Sequence, residues 1–173
     1  MTGPLADRLA AFDGKHVEPL ERLADELPRT NATARRLLAS AEREEPRLQV
    51  ASTWLLKRWN ELGFAFTPAQ SRRIVKLLGA VTAWEAKLHL LQTLPGLVIP
   101  GPHAEALHTV LRQLLTEENK LVRAWTYHGL FVLGEQHYTY REDMSQLLAN
   151  GQSDSAASVR ARIRNILAAS NWA

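Results

Sequence analysis

The chain contains no cysteine at all, which excludes a disulfide framework and any thiolate metal site and fits a reducing compartment. Valine and isoleucine are sparse beside leucine and alanine, and no alternating apolar–polar run of useful length occurs. Sheet-building patterns are therefore missing, and an all-α class follows. No uninterrupted apolar run approaches the ~20 residues of a membrane span. The start of the chain, with Asp7 and Asp13, lacks the basic opening and apolar stretch of a signal peptide. The expectation is a cytoplasmic protein without a membrane partner. No HExxH, Walker loop, GxGxxG or GxSxG occurs, so metalloprotease, NTPase, dinucleotide-enzyme and serine-hydrolase readings lose their usual support. Six histidines offer no ligand spacing; His103 and His108 are five apart, and His89, His128 and His137 fall on different predicted elements. Neither a metal nor a cofactor is implied, and catalysis is the less favoured reading.

What is present is 173 residues with 46% hydrophobic content and a net charge of +3, enough for one well-filled domain. The stretch Asn119 to Gly134 organises the rest. Asn119 suits an N-cap and Gly134 a C′ position, and Val122, Trp125, Gly129 and Val132 recur at helical steps. Aligning Val122 with Leu48, Trp84 and Val159 brings four helical segments into register at intervals of 36, 38 and 37 residues. Self-similarity at that period points to stacked helical pairs.

Helix punctuation supports this division. Residues 4–27 hold two short helices, and pairs follow at about 30–63, 67–97, 102–136 and 139–170. Thr67-Pro68-Ala69-Gln70 combines a capping box with proline in the first turn. Thr82 with Glu85, and Thr139 with Glu142, read as two further boxes. Residues 95–102, PGLVIPGP, must be a connection. The serine-rich run 152–155 precedes the last helix, and nothing reads as a linker between domains.

Leu121-Val122-Arg123-Ala124-Trp125 and Ser158-Val159-Arg160-Ala161-Arg162 resemble the start of the second helix in HEAT repeats. Trp84-Glu85-Ala86 departs by glutamate for arginine, and Leu48-Gln49-Val50 by glutamine. The resemblance covers roughly residues 30–169. It implies an all-α, right-handed solenoid, or superhelix, of antiparallel helix pairs, in a single domain spanning 1–173. The inward sets would be Leu48, Trp84, Val122 and Val159, then Ser52, Leu88, Thr126 and Ile163, then Leu55, Leu91, Gly129 and Ile166.

Such solenoids bind partners along their second helices. The positions one step off the inward set include Lys57, Glu85, His89, Arg123, Tyr127, Phe131, Arg160 and Arg164. An exposed Tyr127 and Phe131 beside arginines would be hot-spot chemistry for a protein partner. The ordinary alternative is a core Phe131 and arginines engaged in a solvated helix face. The sequence thus predicts a non-catalytic scaffold or adaptor for a protein partner. The competing reading is a nucleic-acid-binding solenoid similar to the HEAT-like alkylpurine DNA glycosylases, fitted loosely by the tryptophans and late arginines. Tryptophans at helical spacing are more often core than cofactor- or base-stacking, but Trp54 and Trp59 are five apart and cannot both sit on one stripe, so one of them is expected to be partly exposed. Trp172 either seals the last repeat or covers a homodimer contact.

Overall fold

The computed structural model describes residues 3–172, which form ten α-helices, two 3-10 turns and no strand. The chain divides after Leu97 into two compact units. The first holds α1 (Gly3–Ala10), α2 (Glu18–Glu26), α3 (Asn31–Ala41), α4 (Pro46–Glu61), α5 (Pro68–Leu78), α6 (Trp84–Thr93) and a 3-10 turn, Leu94–Gly96. The second holds α7 (Gly101–Leu114), α8 (Lys120–Gln136), a 3-10 turn Tyr138–Tyr140, α9 (Arg141–Gly151) and α10 (Ala157–Ala169).

Within each unit two helical hairpins lie side by side. In the first, α3 pairs with α4 and α5 with α6; α4 packs along α6, and α3 against α5. In the second, α7 pairs with α8 and α9 with α10, and α8 packs along α10. The α1 and α2 helices lie against α4, where the fully buried Trp59 donates its indole N–H to the Ala24 carbonyl at 3.3 Å.

The buried stripe corrects one register. Leu48, Val122 and Val159 are buried as the periodicity predicts, but Trp84 is 40% exposed and the inward residue of α6 is Ala86. Reading Leu48, Ala86, Val122 and Val159 together gives steps of 38, 36 and 37 residues. The following rows then become Ser52, Leu90, Thr126, Ile163 and Leu55, Thr93, Gly129, Ile166, all of them buried. Leu88, assigned inward from sequence, is only half-buried.

Capping explains part of the discrepancy. The Thr67/Gln70 box forms, with the Thr67 backbone N–H donating to Gln70 Oε1 at 2.8 Å and the Gln70 N–H to Thr67 Oγ1 at 3.3 Å. The Thr82/Glu85 box does not: α6 starts at Trp84, with Ala83 in the cap position. Gln49 of α4 takes over, its Oε1 accepting from the backbone N–H groups of Thr82 at 3.0 Å and Ala83 at 3.3 Å. The Thr139/Glu142 box is also absent, because Tyr138–Tyr140 winds into a 3-10 turn ahead of α9.

Gly134 does not end its helix, since α8 continues to Gln136. A Cβ at this position would lie 2.6 Å from Trp172 Cη2 and 2.9 Å from Met144 Sδ. The glycine is needed for close approach of the segment that follows α10. In the run 95–102, Leu97 and Ile99 are buried while Val98 is exposed, and α7 already begins at Gly101.

Candidate functional site

Two of the sequence-selected residues, Arg123 and Arg160, serve packing. Arg123 donates from Nη1 to the carbonyls of Glu117 (2.7 Å) and Glu118 (2.9 Å), and from Nε and Nη2 to Asp154 (3.0 and 3.1 Å). It therefore ties the connection before α8 to the connection before α10. Arg160, its counterpart 37 residues on, donates Nη1 to the carbonyls of Asp154 (2.6 Å) and Ser155 (2.9 Å). Gln49 occupies the same register position in α4 and acts similarly, giving Nε2–H to the Arg43 carbonyl at 3.0 Å while capping α6. The guanidinium of Arg123 holds the Asp154 carboxyl below its ordinary range, chiefly through the side-chain hydrogen bonds.

Tyr127, expected to be exposed, is only 7% accessible. It lies against Gly151, where a Cβ would come within 2.5 Å of its ring and hydroxyl. Burial raises its pKa. A contact residue for an outside partner cannot sit there, because the neighbouring hairpin already covers it.

Lys57 and His89 gather on the α4/α6 face. Lys57 Nζ pairs with Glu61 at 2.8 Å and lies 5.8 Å from the Trp54 ring centre. The Thr53 hydroxyl, which donates to the Gln49 carbonyl at 2.7 Å, lies with its Oγ1 3.2 Å from His89 Nδ1. Burial, reinforced by the Lys57 charge, lowers the His89 pKa to about 4. The ring is neutral at pH 7. Glu85 is half-buried in the first turn of α6, and Arg164 is exposed on α10.

Phe131 leads to the arrangement with most chemical potential. It is half-buried in a ladder of rings along α8, in which Trp125 meets His128 at 5.2 Å, His128 meets Phe131 at 6.0 Å and Phe131 stacks on Trp172 at 5.8 Å with planes 17° apart. A guanidinium closes each end: Arg162 sits 4.1 Å from the Trp125 ring centre, and Arg141 sits 5.3 Å from that of Trp172. Trp125, His128, Arg162 and Trp172 are all partly accessible. Beside the ladder a cavity of about 70 Å³ is lined by His128, Phe131, Arg162, Asn165, Ile166 and Ala169. Burial, with the charge of Arg162 added, lowers the His128 pKa and keeps that ring neutral at pH 7.

Among the described residues no carboxylate pairs with Arg162. The other half-buried arginines of this unit are engaged: Arg123 and Arg160 as above, and Arg141 through Nε–H to the Gly134 carbonyl at 2.9 Å. Arg162, which is not among the candidate positions taken from the sequence, is thus the guanidinium of this arrangement that has no ion-pair partner. The signal was available, because Trp125 and Arg162 are 37 residues apart, which is the local repeat step. Trp59 is the only tryptophan fully in the core; Trp54, Trp125 and Trp172 are half-buried and Trp84 is exposed.

No group of three or more His, Cys, Asp or Glu that could hold a metal occurs among the described residues, and no described helix is long and apolar enough to cross a membrane. Comparison with protein-family models, with curated proteins and with solved structures gives no match for this chain.

Proposed function

We propose that the chain is a non-catalytic scaffold of HEAT-like helix pairs that binds a protein partner along its second helices, with α8 and α10 supplying the principal contact face. The observation that carries this reading is the partly exposed ring ladder with an ion-pair-free guanidinium on its first indole. Partly exposed aromatic side chains beside arginine are the composition in which interface energy concentrates.

Nucleic acid is the weaker occupant. Residues 98–173 hold seven Lys and Arg against seven Asp and Glu, so this unit has no net positive charge to attract a phosphate backbone. Duplex binders characteristically neutralise about 6–10 phosphates. Here Arg123, Arg160 and Arg112 are already occupied, by loop carbonyls, Asp154 and Asp143.

The test is photo-crosslinking in cells with benzoylphenylalanine at position 165, beside the ladder, compared with position 109 on the exposed surface of α7. A discrete set of protein adducts from position 165 alone is expected. Adducts to nucleic acid only, or equal adducts from both positions, would overturn the reading.

A further inference from the structure

The following inference rests on the reading above and gives it a partner chemistry. We propose that the cleft between α8 and α10 binds an acidic peptide segment, one of its carboxylates on the edge of Arg162 and a neighbouring aliphatic side chain in the cavity beside Phe131.

The Arg162 Cζ lies 4.1 Å from the Trp125 ring centre, and no carboxylate among the described residues takes up its N–H groups, whose fork matches a carboxylate in two parallel hydrogen bonds. The side chain is half-buried, so its charge has lost part of its hydration. A pair formed there gains more than one made in open water. Every other arginine of the unit except the exposed Arg164 already has an anion or a backbone carbonyl. His128 is held neutral, which makes Arg162 the one full positive charge bordering the cavity.

Shape supplies the second requirement. The cavity of about 70 Å³ admits a small branched aliphatic chain, and Phe131, Ile166 and Ala169 provide apolar walls. Asn165, exposed at its edge, brings an amide that can both donate to and accept from a peptide backbone. A single-stranded nucleic acid would also stack on Trp125, but it carries a charge on every nucleotide and meets only one free cation here. Acid and aliphatic groups in adjacent positions match what the cleft offers.

The experiment uses the full chain and fluorescence anisotropy with a fluorescein-labelled twelve-residue peptide in which leucines are flanked by aspartate and glutamate. Comparison probes replace the acids by their amides, replace leucine by serine, or substitute a twelve-nucleotide oligothymidylate. The acidic leucine peptide is expected to bind, and each altered peptide to bind at least tenfold more weakly. Arg162→Gln, which removes the charge, and Ala169→Trp, which fills the cavity from an exposed position, should each weaken binding of the original peptide at least tenfold. Arg164→Gln should change it less than twofold, and thermal melting of all three variants should match the parent chain.

Absence of binding by the acidic leucine peptide, an unaltered affinity in Arg162→Gln, or equal Arg162-dependent binding of the oligothymidylate would each overturn the proposal. If protein adducts from position 165 persist in Arg162→Gln, the scaffold reading survives and only the acidic chemistry fails.

Discussion

Replacing Arg123 by methionine keeps most of the side chain's length and removes five N–H donors. Its partners are the Glu117 and Glu118 carbonyls at 2.7 and 2.9 Å and both oxygens of Asp154 at 3.0 and 3.1 Å. Both charged side chains are close to 15% exposed. Taken singly, hydrogen bonds to charged groups contribute about 1.5–3 kcal/mol each, so simple addition would give roughly 6–12 kcal/mol. That sum is too large, because Asp154 keeps the Ala156 N–H at 2.8 Å and water can reach the loop carbonyls. A loss of about 2–4 kcal/mol follows, near the lower part of the range for breaking a buried pair. Urea unfolding should show the reduced midpoint, and hydrogen exchange should accelerate around residues 115–119 and 154–157. Arg164→Met, at an exposed site, should stay within about 0.5 kcal/mol of the parent. A double-mutant cycle with Asp154→Asn should give coupling of about 1–3 kcal/mol. The coupling is present above the ordinary carboxylate pKa of ~3.9 and disappears as pH falls through the lower value that Asp154 has in the fold. Equal midpoints for Arg123→Met and Arg164→Met would refute the assignment of Arg123 to packing and restore it as a contact residue for an outside partner.

Three further outcomes follow from the geometry. Gly134→Ala brings a methyl group within 2.6 Å of Trp172 and 2.9 Å of Met144 Sδ, so Trp172 should leave its place with a red-shifted emission. The net loss should be about 1–2 kcal/mol despite the alanine preference of a helix; an unshifted spectrum would mean that the indole does not lie there. His89 has a folded pKa of about 4 against 6.5 unfolded, so its stabilisation is complete above about 6.5 and declines as pH falls toward about 4. The full difference is at most ~3 kcal/mol, and partial solvent access reduces it to about 1–2. Urea midpoints at pH 7.5 and 4.5 should therefore converge in His89→Asn relative to the parent; an unchanged slope counts against the buried neutral ring. Gln49→Leu removes the acceptor for the Thr82 and Ala83 N–H groups and should cost about 2–3 kcal/mol, with faster exchange at those two amides as the direct readout.

Helical period and leucine placement were enough to read the all-α class and three of the four residues of the first inward row, Leu48, Val122 and Val159. The α6 start was missed because Thr82 and Glu85 satisfy a local capping pattern, whereas the Thr82 N–H that such a box would use is taken by Gln49 from another hairpin. Local chemistry could not reveal that competitor. Gly134 misled in the same way: a glycine late in a helical run ordinarily marks a C-terminus, but here its missing Cβ makes room for Trp172, nearly forty residues on. Tyr127 and Arg123 were placed at the surface because a helical wheel shows only one helix, and both are covered or engaged by the connection and hairpin that follow. The Trp125 to Arg162 contact was legible from the repeat step itself. Its lack of a carboxylate was not, since that depends on where every acidic side chain of the unit folds.

The Gln49 bridge has a consequence for how the two hairpins depend on each other. Because the two amides just ahead of α6 are satisfied by a side chain two helices earlier, the starting point seen for that helix depends on α4. Excised by itself, the α5–α6 hairpin would fall back on Thr82 as its own cap and begin winding one residue sooner. The entry to this helix is therefore held by a neighbouring hairpin, so a change that loosens α4 at Gln49 should also loosen the start of α6.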